Sequence, residues 1–224
     1  TKKRLLMNGV DVSTRYTMRS REMYQRYATY IFRVVKAKMG NYLIFFPSYR
    51  FMEDVYQEFT QLLASDEEEM ELVIQQKHMD EEERENFLRA FEMGREKSLI
   101  GFGVLGGIFS EGIDLTNEKL IGTLIIGTGL PQVCNEREIL KSYFDQKGLY
   151  GFDYAYRYPG MNKVLQAAGR VIRTMDDVGV IVLLDERFAR SEYVRLFPAE
   201  WADYKLCNLK EVPKLVAEFW DGHS

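Results

Sequence analysis

The stretch NYLIFFPSY at residues 41–49 decides the fold, because a continuous apolar run passes directly into Pro47 and Ser48. A short apolar run rich in aromatic residues is typical of a strand that is buried on both faces of a sheet. The Pro-Ser pair begins the next helix, which we expect to continue to about Leu63. The stretch therefore predicts a buried strand whose carboxyl end leads straight into a helix.

The same alternation continues on both sides of this stretch. We predict further apolar strands at 71–76, 98–104, 120–127 and 179–185, and helices at 16–39, 80–94, around 135–147, at 161–174 and in the C-terminal KEVPKLVAEFW. Segment 148–160 has no clean period and is predicted to be a loop or a short insertion. Apolar strands that alternate with helices indicate an α/β fold, with a mostly parallel sheet covered by helices on both faces. Residues 1–224 are predicted to form one domain, with a helical or loop insertion near 135–160 and a C-terminal helix.

Composition excludes several classes of protein. Of the 224 residues, 46% are hydrophobic, which is enough to fill a core and excludes a disordered chain. No apolar stretch approaches the roughly 20 residues of a membrane span, and the N-terminus lacks the apolar region of a signal peptide. The two cysteines lie far apart without a histidine partner, so neither a zinc site nor an iron–sulfur cluster is predicted in this chain. We expect a cytoplasmic protein without contact with a membrane.

Charge is distributed unevenly along the chain. The net charge of −4 combines residues 65–85, which carry ten acids and two bases, with residues 1–38, which carry ten bases and two acids. The basic N-terminal segment is suited to binding phosphates, whereas both segments can equally be solvated helix faces. Charge alone leaves these two interpretations open.

Two common nucleotide-binding signals are absent or weak. The chain contains no Gly-Lys dipeptide, so it has no phosphate loop of the Walker A type, whose lysine reaches the β and γ phosphates. Gly101, Gly103 and Gly106 match the dinucleotide fingerprint GxGxxG in spacing. The first two glycines fall inside an apolar run, however, and no acid follows about 20 residues later, as that fingerprint requires. A dinucleotide-dependent enzyme remains a minor alternative.

The segment QAAGRVIR at 166–173 carries the first candidate site. On a helix, Gln166, Gly169, Arg170 and Arg173 fall along one side over two turns. Two guanidinium groups in this arrangement form a fork that can hold phosphate oxygens, and Gly169 permits close approach of another backbone. The alternative is that both arginines are ordinary solvated residues of a surface helix.

Two further segments follow predicted strands. The segment GGIFSEGIDL at 106–115 presents backbone amides, the Ser110 hydroxyl and two carboxylates at a strand's carboxyl end, where open α/β sheets bind ligands. Ser48 and Tyr49 stand at the start of a helix, where a hydroxyl and free amides suit a nucleic-acid phosphate.

Together the three segments resemble motifs IV, V and VI of the DinG/XPD family of superfamily 2 DNA helicases. NYLIFFPSY is similar to motif IV, GGIFSEGIDL to motif V and QAAGRVIR to motif VI, and the agreement covers roughly residues 41–205 in the correct order. The flanking segments GTGLPQVCNEREILKSYF and GVIVLLDERFARSEYVRLFPAEW match as well. The resemblance implies a RecA-like fold of the P-loop NTPase type. Helicases of this family have two such lobes, and the motifs of the first lobe do not occur in this chain.

The resemblance therefore implies the second motor lobe of an ATP-dependent helicase that moves 5′ to 3′ on single-stranded DNA. Its partners are single-stranded DNA and the first RecA-like lobe. ATP lies between the lobes, and the first lobe holds the phosphates and Mg²⁺; that lobe can also carry an iron–sulfur cluster. We expect the chain to be inactive without the first lobe, and nucleoid-associated if it is bacterial.

The family roles transfer to matching residues as expectations. Arg170 and Arg173 resemble catalytic arginine fingers. The nucleotide-binding residues implied in the same way are Gln166, Gly169, Glu111, Gly112 and Asp114, and the DNA-binding residues are Ser48, Tyr49 and Ser110. The alternative from another class is a RecA-like interaction or regulatory module without catalysis.

Overall fold

A computed structural model describes residues 3–67, 69–92, 96–109, 120–172 and 177–223. Seven strands form one sheet in the order β3-β4-β2-β5-β6-β1-β7, and every neighbouring pair is parallel. The strands are β1 (Arg4–Gly9), β2 (Asn41–Phe46), β3 (Met70–Ile74), β4 (Ser98–Val104), β5 (Leu120–Ile126), β6 (Gly179–Leu184) and β7 (Lys205–Cys207). The predicted α/β class and RecA-like sheet are confirmed, and the sheet is parallel throughout.

Helices cover both faces of this sheet, as predicted. They are α1 (Arg21–Val35), α2 (Tyr49–Ala64), α3 (Glu81–Glu92), α4 (Asn135–Gln146), α5 (Tyr158–Ala168), α6 (Ser191–Val194) and α7 (Val212–Asp221), with a π-helical segment at Asp153–Arg157 and 3₁₀ turns at Tyr16–Met18, Glu186–Ala189 and Ala199–Trp201. Helices α1, α2 and α7 pack on one face. Helices α3 and α5, with the segment after β6, pack on the other.

The apolar strands fill both cores. Along β2, Tyr42, Ile44 and Phe46 face the core under α1 and α2, while Leu43 and Phe45 face the core under α3 and α5. Successive side chains of a strand point to opposite faces, so a strand covered on both sides has to be apolar at every position. The residue pattern of 41–46 thus fits an interior strand, and β2 lies between β4 and β5.

Two strands are missed by the sequence patterns. In β1 only Leu5, Leu6 and Met7 are apolar in succession before Asn8, and the three-residue β7 exposes two of its side chains. Their place comes from long-range pairing of β1 with β6 and β7. Such pairing depends on partners far along the chain, which a local pattern cannot detect.

Some predicted boundaries are wrong by several residues. The helix predicted at 16–39 begins only at Arg21, because the hydroxyl of Ser20 accepts a hydrogen bond from the Met23 amide and caps it there. The strand predicted at 71–76 ends at Ile74. The helix predicted at 161–174 begins earlier, at Tyr158, and ends at Ala168, since residues 169–171 form a turn.

The prediction of a loop at 148–160 is wrong, since the chain is helical from residue 151 onward. A π-helical segment shifts the register of apolar positions, which removes the period of 3.6 residues. Its Asp153 carboxylate is buried and pairs with Arg157 and Arg195. The ring of Tyr154 stacks on Phe144 of α4, so the predicted insertion near 135–160 is a pair of packed helices.

Helix α5 crosses the chain after β5 at a contact between glycines. A Cβ atom on Gly160 would lie 2.6 Å from the Thr128 carbonyl oxygen and 3.0 Å from the Gly129 carbonyl carbon. Gly129 itself has a φ of +69°, a conformation that glycine adopts without strain. This backbone-to-backbone contact fixes the start of α5 against the carboxyl edge of the sheet.

We predict that Gly160→Ala lowers the free energy of unfolding by about 1–3 kcal/mol, because two backbone segments must separate. Alanine is otherwise the better helix former by roughly 1 kcal/mol, so propensity alone would give the opposite sign. Gly169→Ala at the other end of α5 is the matched control, since its Cβ would meet backbone oxygens at 3.4 Å or more. Urea unfolding of both variants measures the difference, and equal stabilities would contradict the contact.

Candidate functional site

Ser48 lies where β2 passes into α2, at the carboxyl edge of the sheet. Its hydroxyl oxygen accepts a hydrogen bond of 3.2 Å from the backbone amide of Phe51, which caps α2. A hydroxyl that accepts at its oxygen keeps its own proton for donation. Ser48 can therefore cap the helix and donate to a phosphate oxygen at the same time.

Tyr49 is linked to two neighbouring strand ends through Gln75. The Gln75 side-chain amide donates to the Tyr49 hydroxyl over 3.0 Å, and the Val104 backbone amide donates to the Gln75 side-chain oxygen over 2.9 Å. Gln75 is buried, with 3% of its surface exposed. Gln75 lies in the strand predicted at 71–76, but the sequence gives no signal for this role, because the hydrogen-bond partners of Gln75 come from two other elements.

The glycines of the GxGxxG pattern serve side-chain packing instead of a phosphate loop. Gly101 and Gly103 lie inside β4. A Cβ atom on Gly101 would lie 2.6 Å from the Phe91 ring, and one on Gly103 would lie 3.3 Å from the Gln75 side-chain oxygen. Only Gly106 belongs to the turn after the strand. The geometry therefore does not support the dinucleotide interpretation.

Helix α5 ends at Ala168, inside the predicted motif VI. Gln166 is exposed on the helix, while the exposed Gly169 and the half-buried Arg170 lie in the turn that follows it. Lys163 lies one turn before Gln166 on the same side of α5, as a spacing of three residues requires. Its ammonium end lies against Gly106, where a Cβ atom would be 3.0 Å from the Lys163 nitrogen. Lys163 is a polar residue of this surface that the motif comparison does not identify.

Several predicted site residues lie outside the described part of the chain. They are Ser110, Glu111, Gly112, Asp114 and Arg173. Their assigned roles and the fork between Arg170 and Arg173 stay predictions. The described part of the predicted motif V ends at Phe109, whose ring stacks on Phe87 of α3 with centroids 4.1 Å apart.

Gly169 is not required by the packing of the described chain. Its φ of −64° is an ordinary helical value. A Cβ atom there would meet only the carbonyl oxygens of Leu165 and Gln166, at 3.4 and 3.6 Å. A cavity of about 320 Å³ borders this position. The fold of this chain would accept a side chain at residue 169.

The turn after β4 contacts Gln75, which bonds Tyr49, and Lys163 of α5. On one side, a Cβ atom at Gly107 would lie 3.1 Å from the Gln75 amide nitrogen, and on the other Gly106 contacts Lys163. The Leu105 amide also donates to the Phe46 carbonyl over 2.8 Å. The turn therefore connects the Tyr49 region with the polar side of α5.

A buried ion pair closes the carboxyl end of β6. The Asp185 carboxylate accepts from the Thr14 hydroxyl at 2.7 Å and from two guanidinium nitrogens of Arg187 at 2.8 and 2.9 Å. Burial raises the pKa of Asp185. The hydrogen bonds and the charge of Arg187, together with the hydrogen bond from Thr14, outweigh burial and hold this pKa below its ordinary value. Asp185 therefore carries its charge in the folded state and fixes the segment that follows β1.

The segment that follows β1 carries a cation next to α2. The guanidinium of Arg19 lies over the rings of Tyr16 and Phe51, 5.7 and 5.4 Å from their centroids. The Tyr16 side chain is 85% exposed. Phe51 lies in the first turn of α2, so Arg19 packs against the start of the helix that Ser48 caps.

Among the described residues, no group of three or more His, Cys, Asp and Glu side chains could hold a metal ion. Within the same part of the chain, none of the helices has the length and apolar character needed to span a bilayer.

The family model for the helicase C-terminal domain matches residues 31–204. The chain belongs to this family. The helicase C-terminal domain begins, in this match, inside α1 and ends just before β7, so it contains both predicted sites.

Relatives of this helicase C-terminal domain are XPD proteins. The ATP-dependent DNA helicase XPD of Sulfolobus acidocaldarius is 30% identical over 80% of this chain, and the aligned part is 31% of that protein. The XPD/RAD3 helicase subunit of the general transcription and DNA repair factor IIH of Saccharomyces cerevisiae is 29% identical over 81% of this chain and 24% of its own length. The chain thus spans about a third or less of these relatives.

Solved structures confirm the fold of the helicase C-terminal domain. An XPD helicase structure superposes with a TM-score of 0.70 at 23% identity, covering 91% of this chain and 35% of the other. An apo XPD structure gives a TM-score of 0.70 at 24% identity over 91% of this chain and 40% of the other.

We predict that Asp185→Asn destabilises the domain by about 3–5 kcal/mol, because it leaves the buried Arg187 charge uncompensated. The folded pKa of Asp185 is depressed, so its contribution is present above the unfolded value of about 4 and is lost as pH falls through the folded pKa. Urea unfolding between pH 7 and pH 3 should therefore show that the variant loses less free energy of unfolding on acidification than the unaltered domain does.

The matched control is Asp66→Asn, which removes a partly exposed ion pair with Lys36 at 2.8 Å. We expect it to cost about 1 kcal/mol or less. An Asp185→Asn variant with the same stability and acid response as the unaltered domain would contradict the role of the buried pair.

Proposed function

We propose that this chain is the second motor lobe of an ATP-dependent DNA helicase and works against a first RecA-like lobe. The family match and the XPD relatives support this proposal. In such a motor, the first lobe supplies the phosphate loop and holds Mg²⁺, and this lobe completes the ATP site across the cleft. Any iron–sulfur cluster would also belong to the first lobe. A helicase of this kind would act inside the cell, on chromosomal DNA.

The observation that carries the proposal is the exposed side of α5. It presents Gln166 and the half-buried Lys163, and the turn after it carries Gly169 and Arg170. Packing within the described chain does not require this glycine, and its φ of −64° is not the left-handed value for which glycine is favoured at helix ends. A second surface that approaches the backbone at residue 169 would explain why this residue is a glycine, and we assign that surface to the first lobe.

The proposed chemistry is stabilisation of charge on the transferred γ-phosphoryl group. Arg173 acts as the arginine finger, with Arg170 beside it, because charge spreads over the phosphoryl oxygens in the transition state. Gln166 and Gly169 contact the nucleotide and couple it to closure of the lobes. From motif V, Glu111, Gly112 and Asp114 lie between nucleotide and DNA.

Single-stranded DNA binds at the carboxyl edge in this proposal. Ser48, Tyr49 and Ser110 donate to its backbone, and the cations around α2 attract its phosphates. Closure on ATP and reopening after hydrolysis move the lobe along the strand in the 5′ to 3′ direction.

We predict that Arg173→Ala in the full-length motor reduces ATP turnover by about 10³-fold or more, while DNA affinity and melting temperature stay nearly unchanged. Arg173→Lys should restore little turnover, since lysine keeps the charge but not the planar fork. Steady-state ATPase assays, DNA titrations and melting curves on the same variants provide the measurement.

Gly169→Ala serves as a second variant at the same surface. It should keep the stability of the chain and lower ATP turnover, because the side chain obstructs the first lobe. A fully active Arg173→Ala motor would contradict the catalytic role of Arg173. Steady ATP hydrolysis by the purified 224-residue chain alone would contradict its assignment as one half of a two-lobe motor.

We also predict that the isolated chain binds single-stranded DNA weakly and with strong salt dependence, since its net charge is −4 and contacts are to phosphates. Arg50→Gln, at the exposed first turn of α2, should reduce the slope of log K against log salt by about 1. Arg89→Gln on α3, on the opposite face, is the control and should leave the slope unchanged. Tight binding that is insensitive to salt would point to readout of bases instead.

A further inference from the structure

The Gln75 side chain occupies a buried slot between three strand ends. It follows β3, and its carboxamide lies beside Gly103 and Gly107, where Cβ atoms would come within 3.3 and 3.1 Å of it. Its backbone amide is fixed by the Phe102 carbonyl at 2.8 Å. Gln75 is thus held rigidly, and two glycines make room for its functional group.

The hydrogen bonds of Gln75 have a defined direction. A backbone N–H can only donate, so the Val104 amide forces the Gln75 oxygen to accept and turns the NH₂ group toward Tyr49. The NH₂ group can only donate in turn, so the Tyr49 oxygen accepts. The hydroxyl proton of Tyr49 is therefore left to donate to a group outside this network.

We propose that Gln75 is a positioning residue that directs the Tyr49 hydroxyl proton toward a phosphate of bound single-stranded DNA. This inference rests on the proposed function, which assigns DNA to the carboxyl edge. Ser48, the neighbouring residue, likewise accepts a backbone amide and retains its proton. Both residues thus keep a hydroxyl proton for donation, and phosphate oxygens are acceptors.

The same network connects the DNA side with the turn after β4. Val104 is the last residue of β4, and the turn that follows reaches Lys163 of α5 through Gly106. A shift of this turn moves the Val104 amide, and with it the Gln75 carboxamide and the Tyr49 hydroxyl. Gln75 therefore makes the orientation of the Tyr49 donor depend on the position of the motif V turn.

The test reverses the direction of the network. Gln75→Glu keeps the shape, but a carboxylate accepts from both sides, so the Tyr49 proton turns inward and the DNA loses a donor. We expect about tenfold weaker binding of a fluorescent oligo-dT by the 224-residue chain at low salt, the scale of one hydrogen bond to a charged group. Gln76→Glu adds the same charge at the exposed neighbouring position and should have little effect.

Tyr49→Phe separates positioning from charge. It should weaken binding by a similar factor, and Gln75→Glu added to Tyr49→Phe should cause no further loss. Melting curves check folding, and Gln75→Met, which has no donor, replaces Gln75→Glu if the latter does not fold.

Equal effects of Gln75→Glu and Gln76→Glu, or a full further loss in the Tyr49→Phe background, would overturn the positioning role while the unaltered chain still binds DNA. Absence of oligo-dT binding by the unaltered chain would overturn the proposed DNA function itself, and the positioning role with it.

Discussion

Parallel pairing of β2 with β4 on one side and β5 on the other is the constraint on which the rest of the structure depends. Parallel strands bring all their carboxyl ends to one edge, so Phe46, Val104 and Ile126 end side by side although they are far apart in the chain. The Leu105 amide then reaches the Phe46 carbonyl, which joins the turn after β4 to the start of α2. Everything proposed for the carboxyl edge follows from this register.

Two buried polar side chains at this edge, Asp185 and Gln75, are satisfied in a way that limits their freedom. Asp185 is fully buried and charged because Thr14 and Arg187 together supply its donors, and Gln75 is buried because Val104 and Tyr49 use both ends of its amide. Buried polar groups without such partners would cost several kcal/mol. The edge is therefore rigid below its surface, and its exposed hydroxyls and cations are held in place by buried partners.

How much of this could be predicted depends on how local each feature is. The strands β2 and β4 carry no polar side chain after their first residue, so their burial on both faces can be predicted from 41–46 and 98–104 alone. The strand β1 depends on pairing with β6 and β7, and the helix at 153–157 depends on a buried Asp153 and a shifted period, so neither has a local signal. The candidate site divides in the same way: Ser48 and Tyr49 belong to a contiguous motif, whereas Gln75 and Lys163 contact that surface only after the chain has folded.

The two candidate surfaces stand on opposite faces of the sheet, with α2 on one side and α5 on the other. What joins them is the turn 104–107, which contacts Gln75 on one side and Lys163 on the other. An element in this position would suit the proposed coupling of nucleotide and DNA. Packing among the described residues does not explain Gly169, so the proposed function assigns this glycine to a surface of the first lobe that approaches α5 from outside.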